Sequence, residues 1–217
     1  MKCEPTCPRC GRQLREPGLW SSEWECEAHG AVSPLRGVLP PGDEGLEILL
    51  ARTRVPVWIP WPLPAGWVVT GFSCAGDDRT GAVASVVALS GPAPLGGVGE
   101  LAIVAEEPGV GLGARLAGAD GPDPGPQFDA GPAEGKLRFD GHDVAVWHVA
   151  AKEDRAAFAG EALGRWVWFV LSPADAGTFM YELTSLRDLR DLGDGGVELH
   201  PPFGALSPFI SAQLAPR

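Results

Sequence analysis

The sequence predicts an α+β chain: a small N-terminal module, then a mostly antiparallel sheet domain with two or three short helices. Three observations predict it. Paired Cys and His residues crowd the first 30 positions, in a stretch too short to build its own apolar core. Strand-like runs of β-branched and apolar residues at 67–74, 82–90 and 100–106 are separated by breaks with no room for a crossover helix, so they should be antiparallel neighbours. Arg165–Leu171 is continuous, apolar and aromatic, the mark of a central strand covered on both faces. With 217 residues, 45% of them hydrophobic, the chain has apolar material for one ordinary domain plus a module. The implied division is a head at 1–36, a linker and short helix at 37–56, and an α+β domain at 57–217.

The head carries the only chemistry that the sequence spells out. Cys7 and Cys10 are separated by two residues, as are Cys26 and His29, and each pair is followed by Gly. Two intervening residues let a tight turn aim both side chains at one ion, and the following Gly (Gly11, Gly30) permits the left-handed backbone that closes the turn. Three thiolates and one imidazole match a tetrahedral structural Zn2+ site. The expected metal ligands are therefore Cys7, Cys10, Cys26 and His29, with Cys3 a weaker competitor at C-x3-C spacing from Cys7. Trp20 and Trp24, between the pairs, are expected to pack over the site and dock the head on the body. The first 36 residues hold five Lys+Arg against five Asp+Glu, so the net charge of −11 sits in the remainder. An acidic body repels phosphate backbones, which disfavours bulk nucleic-acid binding.

Gly37–Gly42 reads as a linker. Asp43 is placed to N-cap a helix through Arg54, with Leu46, Leu49 and Leu50 on one face and Pro56 ending it. In the segment from Val57 to Trp67 three tryptophans alternate with prolines. It reads as an ordered strap covering an edge of the core, since the prolines lack the P-x-x-P spacing of a recognition strip. Cys74 is expected to be a buried, inert thiol. Gly109-Val-Gly-Leu-Gly-Ala formally matches a dinucleotide-binding turn, but no βαβ context surrounds it, and a glycine-rich turn into a short helix is the expectation. The stretch 118–135, rich in Gly and Pro, is a long loop. Lys136–Phe139 and Val144–Ala150 form a hairpin whose neighbourhood gathers Asp140, His142, Asp143 and His148, an acid–base set without a nucleophile. Residues 154–163 read as a turn plus a short helix or strand. Pro173 should open a helix capped by Ser172 and running to about Tyr181. Leu183, Leu186, Leu189 and Leu192 favour a short amphipathic helix over a bulged strand, Val197–His200 reads as a last strand, and Pro201–Arg217 wraps or dangles. Walker-type, H-E-x-x-H and G-x-S-x-G motifs do not occur, and no apolar run reaches ~18 residues.

On Cys7-Pro-Arg-Cys-Gly and Cys26-Glu-Ala-His-Gly the head resembles zinc-ribbon proteins. On Glu4-Pro-Thr-Cys-Pro-Arg-Cys, Pro17-Gly-Leu-Trp-Ser-Ser, Pro60-Trp-Pro-Leu-Pro, Cys74-Ala-Gly-Asp-Asp-Arg, Val110-Gly-Leu-Gly-Ala-Arg and Ala205-Leu-Ser-Pro, the whole chain resembles an uncharacterised family, a domain of unknown function, from high-GC Gram-positive bacteria. That resemblance implies a cytoplasmic bacterial protein and supplies no catalytic residues. A polar start at Met1–Pro5 and cysteines clustered as in a metal site agree with a reducing cytoplasm. The leading functional expectation is a non-enzymatic zinc-dependent interaction module with an unidentified protein partner. The alternatives are a small-ligand or nucleotide-binding protein or enzyme using a cleft near 109–114 and 140–148, and nucleic-acid binding by the head through Lys2, Arg9, Arg12 and Arg15.

Overall fold

The computed structural model describes residues 4–19, 21–191 and 200–217. The readings made for Lys2, Cys3, Trp20, Leu192 and most of Val197–His200 lie outside the described residues. The head carries β1 (Glu25–Cys26) and β2 (Gly30–Ala31), a minimal antiparallel pair. The body begins with α1 (Asp43–Arg52), β3 (Trp58–Pro60), β4 (Val68–Asp77), β5 (Gly81–Pro92) and β6 (Val98–Glu106). Then come α2 (Leu112–Ala117), β7 (Gly135–Phe139), β8 (His142–Val149), β9 (Ala156–Ala162), β10 (Arg165–Ser172), β11 (Ser185–Asp188) and α3 (Pro208–Leu214). Two 3-10 segments, Ala174–Tyr181 and Leu189–Asp191, flank β11.

Among the described residues, nine strands form one sheet in the order β3-β11-β7-β8-β9-β10-β6-β5-β4. Every neighbouring pair is antiparallel except β11 beside β7. The short breaks after β4, β5 and β9 dictate the antiparallel sense of the pairs they join, because they leave the chain only the option of turning back. The sheet curls until β3 meets β6 across the interior. β10 lies between β9 and β6, and successive side chains enter two different cores. Val167, Phe169 and Leu171 face the interior with Phe72, Phe139 and Phe179, while Trp168 and Val170 face outward into a second cluster with α2, Ile210 and Leu214. Burial on both faces is why the strand reads as one apolar run.

The tryptophan-rich segment closes the interior. Trp58 meets Phe139 edge-on at 4.9 Å and Trp67 stacks on Phe179 at 4.0 Å between ring centres, so two of its three tryptophans are core residues. The stretch read as a linker pairs with the outer edge of β4, where Leu39 and Phe72 exchange both backbone hydrogen bonds. The C-terminal stretch covers the rest of that edge: Val69 donates to Pro202, and Gly204 donates back to Val69. An otherwise unpaired row of backbone groups is thereby satisfied from both sides.

Three local expectations are corrected. Gly42, not Asp43, occupies the N-cap of α1; Asp43 and Glu44 sit in the first turn, where the helix dipole favours carboxylates. Ser172 ends β10, paired with Glu100, and the segment after Pro173 is 3-10 rather than α. The leucines at 183, 186 and 189 do not mark an α-helix. Leu186 lies in β11, Leu189 opens a 3-10 turn, and all three point into the interior. The three-residue spacing arises because the chain bends there, held by Asp188, whose carboxylate accepts from Val57 N and pairs with Arg190 at 2.6 Å. Residues 156–162 are a strand, β9, the second of the two options left open.

Candidate metal centre

The two turns of the head bring Cys7, Cys10, Cys26 and His29 together, with their ligand atoms all within 4.8 Å of one another. His29 Nδ1 lies 3.5 Å from Cys7 Sγ and 3.6 Å from Cys26 Sγ, and the Cys10 and Cys26 sulfurs are 3.7 Å apart. Gly11 and Gly30 adopt φ of 77° and 67°, the left-handed values the turns require. Backbone amides face the first sulfur of each turn: those of Arg9 and Cys10 at Cys7, and those of Ala28 and His29 at Cys26. Such N–H groups favour a thiolate. Burial opposes them, and without an ion it pushes the Cys7 thiol up to about 12. At Cys26, burial also opposes ionisation, but the Ala28 amide leads a set of hydrogen bonds that pulls the thiol below its usual value. The donor set is thus three sulfurs and one imidazole nitrogen, two of the sulfurs buried, around a point that suits a cation.

The head is fastened to the sheet rather than hanging from it. Thr6 and Leu35 exchange backbone hydrogen bonds, and the next residue, Arg36, donates to Cys74 of β4. Trp24 Nε1 donates to Asp77 at 3.0 Å, and Arg79 Nη2 donates to the Ser22 carbonyl at 2.9 Å. The Arg79 guanidinium also holds the Asp77 carboxyl well down, at about 2. Arg9 reaches the Gly109 and Val110 carbonyls. Beneath the first turn, Arg115 of α2 donates to the Cys7 carbonyl at 3.1 Å. The sequence reading missed Arg115. The available signal was a single charge inside an otherwise apolar short helix.

The glycine-rich turn has a structural explanation. Gly109 and Gly111 take positive φ, and α2 follows. Leu112 N and Gly113 N donate at 2.7 and 3.1 Å to the two carboxylate oxygens of Glu106. A side-chain carboxyl group therefore occupies the amides that a pyrophosphate would need. Gly113 lies against the Trp168 indole, where an added Cβ would meet the ring at 2.2 Å. Close helix-to-strand packing accounts for that glycine without a ligand. Glu106 is fully buried, and burial pushes its carboxyl up to about 8.

The acid–base residues of the hairpin are dispersed. Asp140 and Gly141 make a two-residue turn, Asp143 pairs with Arg138 at 3.3 Å, Asp140 lies 3.7 Å from Arg187, and His148 meets the Phe158 ring. Asp140, Gly141 and Asp143 line a groove of about 800 Å3 beside Trp61, whereas Gly109 and Val110 line a separate cleft of about 470 Å3 between head and body. Of the head arginines, Arg9 is turned onto the body, Arg15 is paired with Glu25, and Arg12 is exposed. The long loop is pinned: Phe128 packs edge-on against Trp147 and Trp166, and Asp123 accepts from Gly109 N and Trp166 Nε1. Cys74 is buried, and burial raises its thiol, as expected of an inert residue.

Fold and site together define an α+β chain with a candidate Cys3His metal centre docked on a curled sheet. The chain belongs to the family of unknown function DUF6758, whose model matches residues 1–210. No curated protein and no solved structure matches it. Among the described residues, no helix is long and apolar enough to cross a membrane.

Proposed function

We propose that the chain is a cytoplasmic zinc protein whose ribbon-like head is held in shape by one structural Zn2+, and that it acts as a non-enzymatic interaction module for a protein partner. The spacing of the donor atoms carries the metal reading. A tetrahedral ion about 2.3 Å from sulfur and about 2.0–2.1 Å from nitrogen sets neighbouring sulfurs about 3.7 Å apart and sulfur–nitrogen pairs about 3.5 Å apart. The distances of 3.7, 3.5 and 3.6 Å agree with it. Four protein ligands fill a tetrahedron and leave no open position for substrate, which supports a structural rather than a catalytic ion. The hairpin acids, two of them paired with arginines, and the Glu106 side chain that caps α2 support the non-enzymatic reading.

The test is metal analysis of the purified full chain beside Cys26→Ser, with affinity capture from the native cell using both proteins as bait. The expected result is one zinc per chain in the wild type, none in the variant, and a protein species retained by the wild type alone. Zinc-free wild-type protein would overturn the metal reading, and a partner retained equally by Cys26→Ser would overturn the interaction role of the head.

A further inference from the structure

We propose that occupation of the metal centre is coupled to the docking of helix α3, with Arg115 as the link. This rests on the metal reading above and adds a conformational device to it. Arg115 is nine-tenths buried, and its guanidinium joins two segments far apart in the chain. One terminal nitrogen, Nη1, donates to the Cys7 carbonyl at 3.1 Å, inside the first ligand turn. The other, Nη2, donates to the Gln213 and Ala215 carbonyls at 2.7 and 3.1 Å, at the end of α3. A direct bond reinforces the link, since Arg217 N donates to the Gly11 carbonyl at 2.9 Å. The fit is close: a Cβ on Gly11 would lie 2.7 Å from Arg115 Nη2.

The energetics give the coupling its sign. Helix α3 has seven residues, and of its side chains only Ile210 and Leu214 are buried. So short a helix does not persist without its tertiary contacts. The ligand turn, equally, has no apolar core of its own and needs the ion to hold its shape. If the turn loosens, Arg115 loses its Cys7 acceptor, and a buried guanidinium without that acceptor is costly. The same guanidinium holds the α3 carbonyls, so disorder in the turn propagates to the helix. The docked helix lies over the outer face of the sheet, where Ile210 and Leu214 share the cluster of Val104, Trp168 and Val170. Release of α3 uncovers that apolar face. The device is a metal-gated latch: with ion bound the face is closed, and with ion removed it is open.

Two measurements on the full chain test it. Hydrogen exchange is followed in zinc-loaded and chelator-stripped protein, with residues 208–217 as reporter and β10 as the internal standard. Zinc affinity is measured by competition with a chromophoric chelator for the wild type, Arg115→Gln and the double variant Ile210→Ala/Leu214→Ala, which lies outside the ligand set. Stripping should speed exchange across 208–217 at least five-fold while β10 stays protected. By reciprocity, undocking α3 must weaken zinc by the factor with which zinc tightens α3, about 5- to 150-fold for typical couplings. Arg115→Gln should reproduce the loss with β10 protected. Unchanged exchange at 208–217, or zinc affinities of the two variants equal to wild type, would overturn the latch and leave the metal reading standing. Should stripping also unprotect β10, the affinities decide. A wild-type chain that takes up no zinc at all would fail the metal reading itself and the latch with it.

Discussion

In the sheet domain, five consecutive residues of β10, Val167 through Leu171, are sealed from solvent, packed between apolar neighbours on two faces. In the described part of the head, Leu35 is the sole buried Leu, Ile, Val or aromatic side chain, and it belongs to the body's outer cluster. One region is held by removing apolar surface from water, the other by four ligand atoms around a common point and a set of hydrogen bonds to its neighbour. The difference teaches where each is vulnerable. The sheet should answer to volume changes and be indifferent to chelators, and the head should do the reverse.

The largest expected effect falls on the head. Cys26→Ser removes a ligand and should forfeit most of the metal's contribution, on the order of 10 kcal/mol at neutral pH by analogy with structural zinc modules. Hydrogen exchange should show residues 4–35 unprotected while β5, β6 and β10 remain protected. If the sheet strands lost protection as well, the two regions would be one cooperative unit. Next comes the mirror experiment. Phe169→Ala opens a void in the interior core and should cost about 3–5 kcal/mol, read as a drop in melting temperature, with bound metal unchanged in the folded protein.

A smaller effect separates the regions by pH. Burial raises the Glu106 carboxyl to about 8 in the folded chain, against a usual value near 4.5. Between those values the folded state holds a proton that the unfolded state has released. Its contribution is complete below about pH 4.5 and fades as pH rises through about 8, a loss of roughly 2–4 kcal/mol. Glu106→Gln should flatten that slope in denaturant titrations at several pH values. It should also lower stability at pH 5 by about 1–3 kcal/mol, because one of the Leu112 and Gly113 amides then faces an NH2 group. The smallest effect belongs to Arg15→Ala, which breaks the exposed Arg15–Glu25 pair and should change head stability by less than about 1 kcal/mol.

How much of this was legible in the sequence depends on the range of the forces involved. The ligand turns were legible because two-residue spacing plus Gly is a local geometric demand, and the four residues named from it do cluster. The antiparallel ladder β4–β5–β6 and the central β10 were legible from break lengths and an unbroken apolar run. The strand β11 was misread because three-residue leucine spacing suits a helix as well as a chain bending from strand into 3-10 turn, and only packing against β3 and β7 decides. The roles of Arg115 and Glu106 were missed, and the C-terminal stretch was legible only as one that wraps or dangles. Arg115 finds its Cys7 acceptor 108 residues away, the C-terminal stretch pairs with still more distant segments, and Glu106 depends on how α2 seats on Trp168; no local pattern encodes that.

The central claim is that one tetrahedral zinc ion organises the head. X-ray absorption at the zinc edge, recorded on the full chain after quantifying its metal, tests it most directly. The account predicts one zinc per chain with three sulfur neighbours at about 2.3 Å and one nitrogen at about 2.0–2.1 Å. A protein without stoichiometric zinc, or an ion surrounded mainly by oxygen, would contradict it.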